Sequence, residues 1–141
     1  MTFSIGLDLH VVDGKFQGSR THVLCLFAEL IALAPTWQFY VFLEKHAELL
    51  ALDARFSLPN VTLVKMPHTN PFKRLLWQLP RLQRHYQLDL LHTQYILPFP
   101  CFSAGMVTIH DILFETHPQY FTRLFRWRSQ FLMRLAAQKA Q

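Results

Sequence analysis

Cysteine and glycine are scarce in this chain of 141 residues, with two cysteines, Cys25 and Cys101, and four glycines. The cysteines lie far apart and match neither a CxxC pair nor a metal-ligand spacing. That argues against a disulfide framework and a zinc module, and reduced, buried thiols are expected. With so few glycines there is no GxGxxG fingerprint and no P-loop. No apolar run approaches the roughly 18 residues of a membrane span. The N-terminus has no basic n-region, and Asp8 and His10 interrupt its apolar stretch, so a secretory leader is not expected and the cytoplasm is the default compartment. Charged residues make up only 16% of the chain against 51% hydrophobic, a balance typical of a packed globular domain rather than a disordered or coiled-coil segment.

The net charge of +5 is unevenly placed. Basic and acidic groups cancel up to residue 116, so the surplus lies in Arg123, Arg126, Arg128, Arg134 and Lys139. A second all-basic stretch holds Lys73, Arg74, Arg81 and Arg84. Such clusters are solvated helix faces or attract phosphates, nucleic acid or anionic lipid. No RNA-binding motif surrounds Trp37, Trp77 or Trp127, which read as core or interface groups, and no nucleic-acid partner is expected.

Hydrophobic patterning alternates between strand and helix. Strands are expected at Phe3 to Leu9, Trp37 to Leu43, Val61 to Val64, Asp89 to His92 and Gly105 to Ile109. Helices are expected from Arg20 to Ala34, near Lys45 to Ala54, from Phe72 to Tyr86 with an interruption or kink at Pro80, and from Phe121 to Ala136. The alternation predicts a doubly wound α/β fold, a mostly parallel Rossmann-like sheet of five or six strands with helices on both faces. Ile5, Leu7, Val41, Val107 and Ile109 should be buried between those helices.

In such a sheet, ligands bind outside the carboxyl ends of the strands, where strand order reverses. With the order 3-2-1-4-5, three exit histidines, His10, His92 and His110, border one crevice. Asp111 is placed to cap the turn after the fifth strand, and His110 either serves chemistry or simply satisfies a hydrogen bond. The loop Gln17-Gly18-Ser19-Arg20 enters a helix N-terminus, where amide groups and the helix dipole favour phosphate or carboxylate, Gly18 supplies a permissive backbone, and Arg20 either adds charge or lies in solvent. His22 and Cys25 read as packing or surface residues. His46, His68, His85 and His117 have no zinc spacing.

The motifs Ile5-Gly6-Leu7-Asp8, Gly18-Ser19-Arg20, Trp77-Gln78-Leu79-Pro80, Asp89-Leu90-Leu91-His92 and Thr108-Ile109-His110-Asp111-Ile112, then Phe114 and Pro118-Gln119-Tyr120-Phe121, resemble in order and spacing the N-terminal domain of retaining family 4 glycosyltransferases of the GT-B class. The resemblance spans nearly the whole chain. It implies an acceptor-side Rossmann-like domain over residues 1–141, with the donor-binding C-terminal domain absent and the isolated chain inactive. It further implies His110 facing the transferred sugar, and Gly18, Ser19 and Arg20 near the donor phosphates. His92, Tyr95 and Asp111 would stand on the acceptor side. No metal and no cofactor are implied, only a nucleotide-sugar donor and a sugar or lipid-linked acceptor. The helix bearing Lys73, Arg74, Arg81 and Arg84 also offers apolar residues, a combination suited to peripheral contact with an inner membrane face. Two other readings stay open: a metal-dependent hydrolase using His10, His92 and His110, and a non-enzymatic module that binds an anionic partner.

Overall fold

The computed structural model describes residues 2–14 and 18–140. Five strands, β1 (Ser4–Asp8), β2 (Gln38–Leu43), β3 (Val61–Lys65), β4 (Leu90–Gln94) and β5 (Ala104–Thr108), form one sheet in the order β3-β2-β1-β4-β5. All four pairings are parallel. The strands are linked through α1 (Gly18–Leu33), α2 (His46–Leu52) and α3, a helical run composed of Pro71–Lys73, Arg74–Gln78 and Leu79–His85. After β5 come a short α4 (Leu113–Thr116) and the long α5 (Arg123–Lys139). This is a doubly wound, Rossmann-like α/β fold.

Alternation along β1 sorts the two layers. Ile5 and Leu7 join Val23, Phe27 and Ile31 of α1 in one buried cluster. The opposite face packs Phe42, Leu91 and Leu88 against Leu79 of α3. Gly6 points to this second layer, where an added Cβ would lie against Leu88 and within 3.0 Å of Leu91. A glycine here lets the sheet and its covering side chains approach closely.

Two expectations about burial need correction. Ile5, Leu7 and Val41 are fully buried, but Val107 is only half-buried and Ile109 is exposed. The reason is position: β5 is an edge strand, and it lacks the helices on both faces that enclose β1. The cysteines are not buried either. Cys25 lies on the outer side of α1, away from the Val23, Phe27 and Ile31 stripe, and Cys101 lies in the β4–β5 loop.

The expected interruption at Pro80 takes a specific form. Arg74–Gln78 is a π-helical turn, with Leu79 donating its amide to the Arg74 carbonyl. Proline has no amide to give, and its ring crowds the carbonyl four residues back, so a widened turn before it accommodates the ring without ending the helix. The carbonyl of Leu75, which Leu79 would take in an α-helix, instead accepts from the Phe99 amide at 3.2 Å.

Candidate functional site

The carboxyl end of β1 turns a charge inward. Asp8 is fully buried and forms an ion pair with Arg74 of α3. Its other oxygen lies 3.0 Å from Nδ1 of His10 and accepts the His10 amide. Burial pushes the Asp8 carboxyl up, but His10 and Arg74 together outweigh it and hold the group below its ordinary range. Arg74 is therefore part of the interior, not of the outer basic face.

Beside it, Gln94 closes β4. Its Nε2 donates to the Asp8 carbonyl at 3.2 Å, so its Oε1 faces His110 Nε2 at 3.3 Å. An amide oxygen only accepts, so Nε2 of His110 must carry the proton and Nδ1 keeps its lone pair in the neutral ring. Burial, then the nearby His22, lower the His110 pKa, with Asp111 opposing, which keeps this ring neutral near pH 7. His22 stands edge-on to His110 with ring centroids 5.4 Å apart.

Tyr95 follows β4 with φ of 63°, left-handed backbone that a bulky residue rarely adopts. Such a conformation costs on the order of 1–3 kcal/mol and clusters at functional sites. It brings the Tyr95 ring to within 5.5 Å of the His110 ring, and its hydroxyl donates to Asp111 at 3.4 Å. Burial, then Asp111, raise the Tyr95 pKa, so the phenol stays protonated. Asp111 also accepts the Leu113 amide at 3.3 Å, bracing the turn that leads into α4, whose N-cap residue is Ile112. A cavity of about 310 Å³ opens against this pair, with Tyr95 and Asp111 at one end and Phe114, Phe121, Phe125 and Arg128 along it. A second cavity of about 400 Å³ lies at the exits of β1 and β3, lined by His10, His68, Asn70 and Arg74 among others.

The exit histidines do not act as a set. His10 belongs to Asp8, while His92 is 1% exposed, packed edge-on against Phe27, with Nε2 only 2.7 Å from the Thr108 hydroxyl. Burial pushes its pKa down to about 4. His110 and Tyr95 are half-buried at the crevice, whereas His92 is buried beneath it. Among the described residues, no group of three or more His, Cys, Asp or Glu side chains could hold a metal ion.

Gly18, Ser19 and Arg20 form the first turn of α1. Gln17 lies outside the described residues. No described glycine has a positive φ, so Gly18 supplies no left-handed backbone; among the described residues, nothing lies within 4 Å of an added Cβ there. His22, one turn further on, is the residue that patterning passed over, because it faces His110 only once α1 is laid on the sheet. Gln94, Asp8 and Arg74 were likewise unmarked as site residues by any local motif.

Comparison with family models, with curated proteins and with solved structures finds no match to this chain in any of the three.

Proposed function

We propose that this chain is the acceptor-side domain of a retaining glycosyltransferase, which moves a sugar from a nucleotide-sugar to an acceptor hydroxyl. The observation that carries the reading is the cluster of Tyr95, His110 and Asp111 at the ends of β4 and β5, beside the first helix. It stands where an open parallel sheet places its ligand. The motif resemblance supplies the reaction class, and the geometry is compatible with it.

In this reading, the Tyr95 hydroxyl and the Asp111 carboxylate bind hydroxyls of the sugar acceptor. His110 faces the transferred sugar, and its neutral Nδ1 accepts a hydrogen bond from it. The space beside Gly18 and the positive end of the α1 dipole favour the donor diphosphate, with Ser19 and Arg20 alongside. In the transfer, the acceptor oxygen bonds to the anomeric carbon as the bond from that carbon to the diphosphate breaks. The departing phosphate takes the acceptor proton on the same face of the sugar, and helix-end amides stabilise its charge. A second, donor-binding domain completes the reaction, since both partners must be held together. A cytoplasmic location with peripheral membrane contact belongs to the same proposal.

The test is twofold. Ring-nitrogen NMR of the histidines, recorded while a panel of mono- and oligosaccharides is titrated in, should show His110 responding, and Tyr95→Ala should abolish the response. In a polypeptide that includes a donor-binding domain, His110→Ala should lower kcat by about tenfold or more while the unfolding midpoint barely moves. A silent His110 across the panel, or unchanged transfer kinetics, would remove this site from the reaction.

A further inference from the structure

The outer side of α3 carries side chains that its packing does not need. Its inner side already fills the core through Leu75, Leu79 and Leu82. Yet Phe72 is 72% exposed, Trp77 is 64% exposed, and Leu76 is exposed beside them. Lys73, Arg81 and Arg84 are exposed on the same helix.

The β4–β5 loop extends this surface. Phe99 and Phe102 are both exposed at its tip. Phe102 shares a cavity of about 530 Å³ with Trp77, Arg81 and Arg84. The Arg84 guanidinium sits 5.2 Å over the Phe102 ring, and the Lys139 ammonium of α5 sits 4.5 Å over the Phe99 ring.

Both loop aromatics are tied to α3 through their own backbone. The Phe99 amide donates to the Leu75 carbonyl that the π-helical turn releases. The Phe102 amide donates to Oε1 of the buried Gln83 at 2.6 Å. Helix and loop thus present their exposed groups as one preformed surface, which lowers the ordering cost of binding. The π-helical turn has a use beyond accommodating Pro80.

Charge decides what that surface fits. Between Asp53 and Asp111 the sequence has a single acidic residue, Asp89, and its carboxylate is occupied by the amide and hydroxyl of Ser4. Basic groups interleaved with Trp, Phe and Leu on an exposed helix face and the neighbouring loop match the headgroup and acyl boundary of an anionic bilayer, where aromatic rings sit at the interface and Lys and Arg meet the phosphates. Resting on the peripheral membrane contact of the proposed function, we propose that the outer face of α3 and the β4–β5 loop form a docking surface for an anionic lipid membrane. Phe72, Trp77, Phe99 and Phe102 enter the interface, while Lys73, Arg81, Arg84 and Lys139 bind the headgroups. Arg74, held by Asp8, takes no part.

The experiment is co-sedimentation of the chain with vesicles of phosphatidylcholine alone and of phosphatidylcholine mixed with phosphatidylglycerol. Binding should require phosphatidylglycerol, weaken as salt is raised, and persist in part at high salt, since inserted apolar groups are not screened. Arg81→Glu with Arg84→Glu should reduce affinity by about tenfold or more. Arg123→Glu with Arg134→Glu, also exposed and basic but on α5, should leave it unchanged, and circular dichroism verifies that both variants fold. With Trp37→Phe and Trp127→Phe, the remaining Trp77 emission should shift to the blue on anionic vesicles. The proposal is overturned by no binding to the anionic vesicles, by loss through the α5 pair instead, or by an unshifted Trp77. An unshifted Trp77 together with equal binding to polyglutamate would assign the surface to an acidic protein partner.

Discussion

Arg74 reaches from α3 to the carboxylate of Asp8 at the exit of β1, joining helix and sheet through a charge pair that is closed to solvent on the Asp8 side. Removing one member leaves the other buried and uncompensated, which typically costs about 3–5 kcal/mol. Asp8→Asn is therefore expected to lower urea stability by roughly that amount, and Arg74→Met comparably. The double variant Asp8→Leu with Arg74→Met should recover most of the loss, because a buried pair replaced by apolar groups is often neutral. Additive losses would mean that the two charges do not interact in solution.

Stability should begin to fall on mild acidification because of a buried histidine. His92 has a folded pKa of about 4, below its ordinary 6.5. Between these values the unfolded chain binds a proton that the folded chain refuses. The contribution is thus complete above pH 6.5 and is lost as pH falls toward 4, amounting to about 3 kcal/mol at most. His110, shifted the same way, adds a smaller slope of the same sign. The stability contributed by Asp8, whose carboxyl is held below its ordinary 3.8, is complete above that value and is lost only in stronger acid. Urea unfolding of the wild type and His92→Phe across this range should show a flatter profile for the variant.

Two glycines should respond unequally to alanine. At Gly6 the new methyl would meet Leu88, Phe42 and Leu91 between tightly packed layers, so Gly6→Ala should destabilise by about 1–3 kcal/mol. Gly18→Ala, in the first turn of α1, would meet none of the described residues within 4 Å and should change stability by no more than about 0.5 kcal/mol. Thermal unfolding of both variants checks the contrast. A tolerated Gly6→Ala would mean that the layers are looser than the structure has them.

Tyr95 separates backbone from side-chain effects. Tyr95→Phe keeps the ring and loses only the 3.4 Å hydrogen bond to Asp111, a change expected to cost less than about 1 kcal/mol. Tyr95→Ile puts a β-branched residue at φ of 63° and should be roughly 1–3 kcal/mol worse than the phenylalanine variant. Denaturant unfolding of the pair, measured side by side, gives the difference directly. Equal stabilities would argue that the left-handed turn relaxes in solution.

The sequence by itself determined the order and type of the main elements and the class of the fold. Apolar periods of two and of about 3.6 are local, and Pro35, Gly18 and the Asp111 turn punctuate them within a few residues. The site was legible only in part. The exits of β4 and β5 could be marked in advance, and so could His110 and Asp111, because an open parallel sheet has one ligand-binding end. Tertiary structure decided which histidines meet. His10 turns to Asp8 and His92 sinks against Phe27, while the unmarked His22 faces His110 from a helix more than 80 residues away in the chain. It also separated Arg74 from the basic residues around it, and it left β5 at an edge, so that Ile109, apolar by sequence, is exposed. Hydrophobic patterning records which face of an element is buried. It carries no record of which distant side chain lies across the gap, and there the charges, ring contacts and hydrogen bonds of the crevice are settled.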